Sequence, residues 1–222
     1  MTENAHYTPP LGLAVLTPVY DRAIALFTRE HKWRATLVRR LAPMPEEIIL
    51  DVGSGTGSLG LLVTAREPRC LYRGIDPEER AVEIARQKAL AAASSAVFTV
   101  GFLPDRPSND DQLADKIVCS LVLHQVPTQE KARIIGAMSA WLKPGGALLV
   151  ADYGVQGSLA MRLAFRCTVQ MLDGIRDTQP NAEGIIPELL VGAAFSNIEL
   201  LDHFTTPSGS IDIIAARKAG VQ

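Results

Sequence analysis

The chain has 222 residues, 47% hydrophobic and 21% charged, enough for one full-sized folded domain with a sizeable core. Its net charge of -2 excludes the electrostatic footprint of a nucleic-acid binder, and no apolar run is long enough to span a bilayer. Cys70, Cys119 and Cys167 lie far apart, without metal-ligand or disulfide spacing. With the polar opening Met1–His6, which lacks the apolar stretch of a signal peptide, they point to a metal-free protein in a reducing, cytoplasmic setting.

Residues 1–18 carry Pro9-Pro10 and no periodicity, and read as a flexible segment. Over 19–42 apolar residues recur at helical spacing, at Ile24, Phe27, Trp33, Leu37 and Leu41. This is a helical cap of one or two helices, closed by Pro43 and Pro45, with Arg34, Arg39 and Arg40 on a solvated face. A strict alternation follows. Strands are expected at Ile48–Val52, Cys70–Ile75, Ala96–Val100, Lys116–Ser120 and Ala147–Ala151. Helices are expected at Leu59–Arg66, from Pro77 through Ala93, and from a Thr128 cap to Trp141. Lys143-Pro144-Gly145-Gly146 reads as a turn. Residues 153–186 form an insertion, helical over Leu159–Leu172. A short helix, Pro187–Ala194, precedes two strands, Ile198–Phe204 and Ser210–Ala216, whose turn-rich connection predicts an antiparallel hairpin.

The expected fold is therefore a single α/β domain over 19–222, Rossmann-like, with a mostly parallel seven-stranded sheet, a C-terminal antiparallel hairpin and helices on both faces. In such sheets ligands bind beyond the carboxyl ends of the strands, where Asp51, Asp76, Ser120 and Asp152 fall. Asp51-Val52-Gly53-Ser54-Gly55-Thr56-Gly57 is a tight glycine turn between strand and helix, suited to a nucleotide-like ligand pressed against the main chain. The spacing Gly53-x-Gly55-x-Gly57 departs from the G-x-G-x-x-G of dinucleotide binding.

The ordered set Leu50–Gly57, Gly74-Ile75-Asp76-Pro77, Leu121–Gln125 and Leu142–Gly146 resembles the class I S-adenosylmethionine (SAM) methyltransferases. Tyr20-Asp21 and Trp33-Arg34 resemble the N-terminal pattern of the ubiquinone/menaquinone biosynthesis group. The resemblance implies SAM as cofactor, with S-adenosylhomocysteine (SAH) as product. It sets Gly53, Ser54, Gly55, Thr56 and Gly57 beneath the methionine part and ribose, Asp51 beside the loop, and Asp76 with Pro77 at the ribose hydroxyls. Gly101 and Phe102 fall at the adenine, where Phe102 replaces the family's usual acid. Ser120, Leu121 and His124 face the methionine part, and Tyr20 and Trp33 close over the cofactor.

The implied reaction is in-line methyl transfer to a small, moderately hydrophobic acceptor, with His124 and Asp152 as candidate catalytic residues and no metal. Either a base role or packing against the cleft wall suits His124, and either acceptor binding or turn capping suits Asp152. Alternatives are a phospholipid N-methyltransferase and a non-catalytic SAM-binding protein. The amphipathic 153–186 insertion admits peripheral lipid contact without stable membrane insertion. Neither the acceptor atom nor the oligomeric state follows from the residues.

Overall fold

The structure is a computed structural model and describes residues 30–109 and 113–220. Seven strands form one sheet: β1 (Ile48–Val52), β2 (Leu71–Asp76), β3 (Val97–Val100), β4 (Ala114–Ser120), β5 (Leu142–Tyr153), β6 (Phe195–Thr206) and β7 (Gly209–Lys218). Their order is β3-β2-β1-β4-β5-β7-β6. The first five strands pair parallel. β7 pairs antiparallel with both β5 and β6. The sheet order reverses between β1 and β4, so the crevice of an open α/β sheet opens above those two strands.

The described helices are α1 (Glu30–Leu41), α2 (Ser58–Arg66), α3 (Glu79–Ala91), α4 (Thr128–Trp141), α5 (Leu159–Cys167), α6 (Val169–Asp173), α7 (Ile175–Ala182) and α8 (Ile186–Gly192). Two apolar clusters line the two faces of the sheet. One gathers Trp33, Leu37, Val63, Tyr72, Val82, Phe98, Val118 and Tyr153. The other gathers Leu50, Ile117, Leu123, Ile135, Met138, Leu148 and Leu190. A parallel sheet buried on both faces needs apolar residues on both sides of each strand, and the central strands β1, β4 and β5 supply them.

The structure departs from the sequence reading at four places. Thr128 is the first residue of α4 rather than its cap, and Pro127 stands at the cap with no side-chain bond. The Lys143–Gly146 turn belongs to β5, which begins at Leu142 opposite Ala114 and resumes after a bulge. Leu159–Leu172 is two helices. The Thr168 hydroxyl donates to the Ala164 carbonyl at 2.7 Å beside the Thr168 N–H at 3.1 Å, and the backbone breaks at Thr168, with φ -116° and ψ -80°. α7 was not foreseen, because Pro180 inside it masks a helical pattern. The 1–18 segment and the first part of the 19–42 cap lie outside the described residues.

Candidate active site

The cofactor side is built from backbone. Gly53, Gly55 and Gly57 all adopt positive φ, at 76°, 51° and 76°. Two of them are closely confined: a Cβ on Gly53 would meet Val122 at 2.2 Å, and one on Gly57 would meet Phe98 at 2.7 Å and Ala85 at 2.8 Å. A Cβ on Gly55 meets nothing within 4 Å. The loop is therefore wedged against α3, β3 and the turn after β4, and presents one open backbone face at Gly55.

Asp76 closes the same cradle. One carboxylate oxygen accepts the Gly55 N–H at 2.8 Å and the other accepts the Glu78 N–H at 2.9 Å. Burial raises its pKa against both bonds. Each oxygen keeps a second lone pair for a hydroxyl of a bound ribose. Pro77, half-buried, leads from Asp76 into α3. Thr56 is fixed by Lys88, whose ammonium donates to its hydroxyl at 2.8 Å. Gly101 donates its N–H to the Asp76 carbonyl at 2.9 Å, and Phe102 is 55% exposed beside it.

Beneath the loop lies a set of buried polar atoms. Asp51 is fully enclosed and accepts a short bond from the Tyr72 hydroxyl. Burial pushes its carboxyl up to about 7, opposed by that bond and by the charge of Arg34. Asp51 Oδ1, Ser54 Oγ, Arg34 Nε and Trp33 Nε1 are all buried without a hydrogen-bond partner. A buried polar atom left unpaired costs about 1–3 kcal/mol, so those of Asp51, Ser54 and Arg34 at one loop mark a place where a polar ligand completes the bonding. Arg34 also pairs with Glu30 and lies 5.3 Å over the Trp33 ring. A carboxylate, a guanidinium and a hydroxyl beside a glycine loop match the ammonium and carboxylate of the SAM methionine part, and Asp76 matches its ribose. The residues fit the cofactor.

The acceptor side is built from side chains. The turn after β4 forces Leu121 to φ 56°, a costly conformation for a residue with a Cβ. Asp152 holds that turn: one oxygen accepts N–H groups from Val122 at 3.2 Å, Leu123 at 2.7 Å and His124 at 3.4 Å. Its other oxygen accepts the Tyr153 N–H and meets His124 Nδ1, both at 2.7 Å. His124 Nε2 faces Asp173 of α6 at 3.6 Å. Burial alone lowers the imidazole pKa, but the two carboxylates outweigh it and push it up to about 9. His124 is therefore a cation at neutral pH, with a carboxylate at each ring nitrogen. Ser120, at the end of β4, is half-buried beside this turn.

Sequence reasoning missed Lys131 and Tyr72. Lys131 is fully buried, and its ammonium donates to the carbonyls of Leu123, Val126 (2.6 Å) and Asp177 (2.8 Å). Burial lowers its pKa to about 8. The signal was present: Lys131 precedes Ile135 by four and Met138 by seven, so it lies on the core stripe of α4. Tyr72 likewise takes an inward position of β2.

Of the expected cofactor residues, the structure gathers Asp51, the Gly53–Gly57 loop, Asp76, Pro77, Gly101 and Phe102 at the ends of β1 to β3, and Ser120, Leu121 and His124 at the end of β4, whereas Trp33 is fully buried in the core cluster with Leu37 and Tyr72. Tyr20 lies outside the described residues. Among the described residues no cluster of His, Cys, Asp and Glu could hold a metal ion, and no helix is long and apolar enough to cross a membrane.

A methyltransferase domain family matches residues 50–148. The ubiquinone/menaquinone biosynthesis C-methyltransferase UbiE of Geotalea daltonii is 29% identical over 143 residues, covering 62% of this chain and 60% of the relative. A tRNA N(3)-methylcytidine methyltransferase of Drosophila melanogaster is 29% identical over 140 residues, covering 58% of this chain and 43% of the relative. The chain thus spans under two thirds of the length of either protein. Among solved structures, magnesium protoporphyrin IX methyltransferase from Synechocystis with bound SAH superposes with a TM-score of 0.70 at 19% identity, covering 93% of this chain and 96% of that one. The matched domain is a methyltransferase domain, the relatives are methyltransferases, and the fold is shared with a methyltransferase solved with bound SAH.

Proposed function

We propose that the protein transfers a methyl group from SAM to a small, moderately hydrophobic acceptor by in-line displacement. The observation that carries this reading is the carboxyl edge of the sheet, where the open backbone at Gly55, the Asp76 carboxylate and the unpaired polar atoms of Arg34, Asp51 and Ser54 converge. Bound SAM supplies an already activated methyl group on a cationic sulfur, so the protein contributes alignment and exclusion of water. Asp76 orients the ribose, and the loop supports the methionine part. Asp152 fixes the turn after β4, and His124 ties that turn to α6. In this reading both act by positioning: each His124 ring nitrogen already faces a carboxylate, which leaves the imidazole no free lone pair to accept a proton.

The relatives show that one such domain serves acceptors of different classes, so the acceptor follows from this chain's own surface. The net charge of -2 favours a small molecule over a nucleic acid. A second reading, a phospholipid N-methyltransferase acting at a lipid surface, draws on the exposed apolar residues Leu159, Leu163 and Met171 of α5 and α6. Sedimentation with vesicles separates the two, since only the second requires lipid binding.

Titration calorimetry with SAM, SAH and NAD tests the cofactor. Micromolar binding of SAM and SAH without NAD heat is the expected result. Asp76→Ala is expected to lower SAM affinity by about 2–3 kcal/mol, because it removes the ribose partner and frees the Gly55 and Glu78 amides. Unchanged affinity would sink the ribose assignment. Bound SAM never converted to SAH with any acceptor points to a non-catalytic binding protein.

A further inference from the structure

A cavity of about 380 Å³ lies in the cap immediately after β5, separate from the cofactor loop. Its walls include Arg162, Arg166 and Phe165 of α5, Gln170 of α6, Gln179 of α7 and Glu183. Arg162 and Arg166 are one helical turn apart, so both guanidinium groups project from the same side of α5. Arg162 donates through Nε to the Gln156 carbonyl at 3.0 Å, which fixes its orientation and leaves its terminal nitrogens available. Among the described residues neither arginine forms an ion pair, whereas Arg34, Arg40 and Arg133 each meet a carboxylate. The single acid of the wall, Glu183, accepts from Gln179 at 2.8 Å, and Gln179 accepts from Gln170 at 2.8 Å. Two cations against one carboxylate leave the cavity with one net positive charge, lined by amides and one aromatic ring.

Buried, packed rings stand between the cavity and the turn after β4. Phe165 lies 5.1 Å from Tyr153 between ring centroids, and Tyr153 lies 4.9 Å edge-on from His124. Gln156 anchors the floor, donating to the Gly154 carbonyl at 2.7 Å and accepting the Ser210 N–H at 2.8 Å. A molecule held in the cavity therefore lies two rings away from the turn that Asp152 builds.

We propose that this cavity is an anion site, and that Arg162 and Arg166 bind a small molecule carrying a carboxylate beside an aromatic or apolar body, apart from the methyl-transfer site. A planar guanidinium recognises a carboxylate through two parallel bonds, and Phe165 supplies the apolar contact for the rest of the molecule. Both arginines are exposed, and a neutral analogue loses those bonds.

The test compares two probes on the full chain in the presence of saturating SAH: 1-hydroxy-2-naphthoate, and 1-naphthol, which lacks the carboxylate. Calorimetry is expected to show the naphthoate binding at least tenfold tighter. Arg166→Gln is expected to remove that difference while leaving SAH affinity unchanged, and Arg166→Lys to restore part of it. Competition by inorganic phosphate separates the sources of the anion. If phosphate displaces the naphthoate only at high concentration, the site reads the organic body as well; equal affinity for phosphate overturns the assignment to an organic acid. Equal affinity for naphthoate and naphthol, or an unaffected Arg166→Gln, overturns the subsite. SAH binding is scored separately: its absence defeats the methyltransferase reading, and the probe comparison then stands or falls without SAH.

Discussion

The carboxyl edge of the sheet has two halves made in different ways. At the ends of β1 to β3 the site is backbone: three glycines at positive φ and an aspartate that ties the loop to the start of α3. At the ends of β4 and β5 it is a network of buried charges, with Asp152, His124, Asp173 and Lys131 joining the turn after β4 to the cap helices. The first half has a shape fixed by local conformation, which suits a cofactor that is always the same. The second half is fixed by contacts between distant segments, and those segments are free to vary with the acceptor.

The largest expected effect tests the backbone half. Gly57→Ala places a methyl 2.7 Å from Phe98 and 2.8 Å from Ala85 at φ 76°. Left-handed strain of about 1–2 kcal/mol and overpacking of about 1–3 kcal/mol give a loss of about 3 kcal/mol in denaturant unfolding. Gly55→Ala bears only the strain, because nothing lies within 4 Å of its added methyl. It is expected to cost about 1 kcal/mol of stability and to lose far more in SAM affinity, since the methyl enters the face offered to the cofactor. Equal losses of stability in the two variants would break the distinction between wedged and open glycines.

The charged half is tested through pH. The folded-state pKa of His124, about 9, stands above its ordinary value of 6.5, so the folded protein binds this proton more tightly than the unfolded chain does. Its contribution is fully present below about pH 6.5 and is lost as pH rises through 9. His124→Gln is expected to be less stable than the parent by on the order of 3 kcal/mol at pH 6, with the gap closing toward pH 10. Lys131 works in the opposite sense in a higher window. Its pKa, lowered to about 8 from 10.5, makes stability rise with pH between those values, so the His124 comparison is read as a difference between variant and parent. A gap constant from pH 6 to 10 would show that the imidazole is not held as a cation.

The same contrast explains what the sequence made legible. The glycine loop and Asp76 were readable because a turn, a strand end and a helix start follow one another within a few residues. The roles of Asp152 and Lys131 were not, because Asp152 reaches back 28–30 residues to the turn after β4, and Lys131 joins the nearby Leu123 and Val126 carbonyls to Asp177, 46 residues on, and no spacing rule joins them. The strand–helix alternation and the closing hairpin were visible in hydrophobic period and turn residues. The cap was less so: Thr168 and Pro180 act against a helical pattern locally, and no local spacing announces the packing of Phe165 on Tyr153.

The smallest effect concerns a residue whose sequence context misleads. Thr128 precedes an apolar-periodic run and carries a hydroxyl suited to capping, yet Pro127 occupies the cap, and among the described residues no side-chain cap bond forms at the start of α4. Pro127 instead contributes its carbonyl, which accepts the Lys131 N–H at 2.9 Å and closes the first turn. The start of α4 is thus set by proline geometry and by the buried Lys131 ammonium. Thr128→Ala is expected to change stability by less than about 0.5 kcal/mol, within the range of an exposed surface substitution. A loss near 1 kcal/mol, the usual cost of deleting a helix cap, would restore the capping role and show that the hydroxyl reaches the α4 amides in solution.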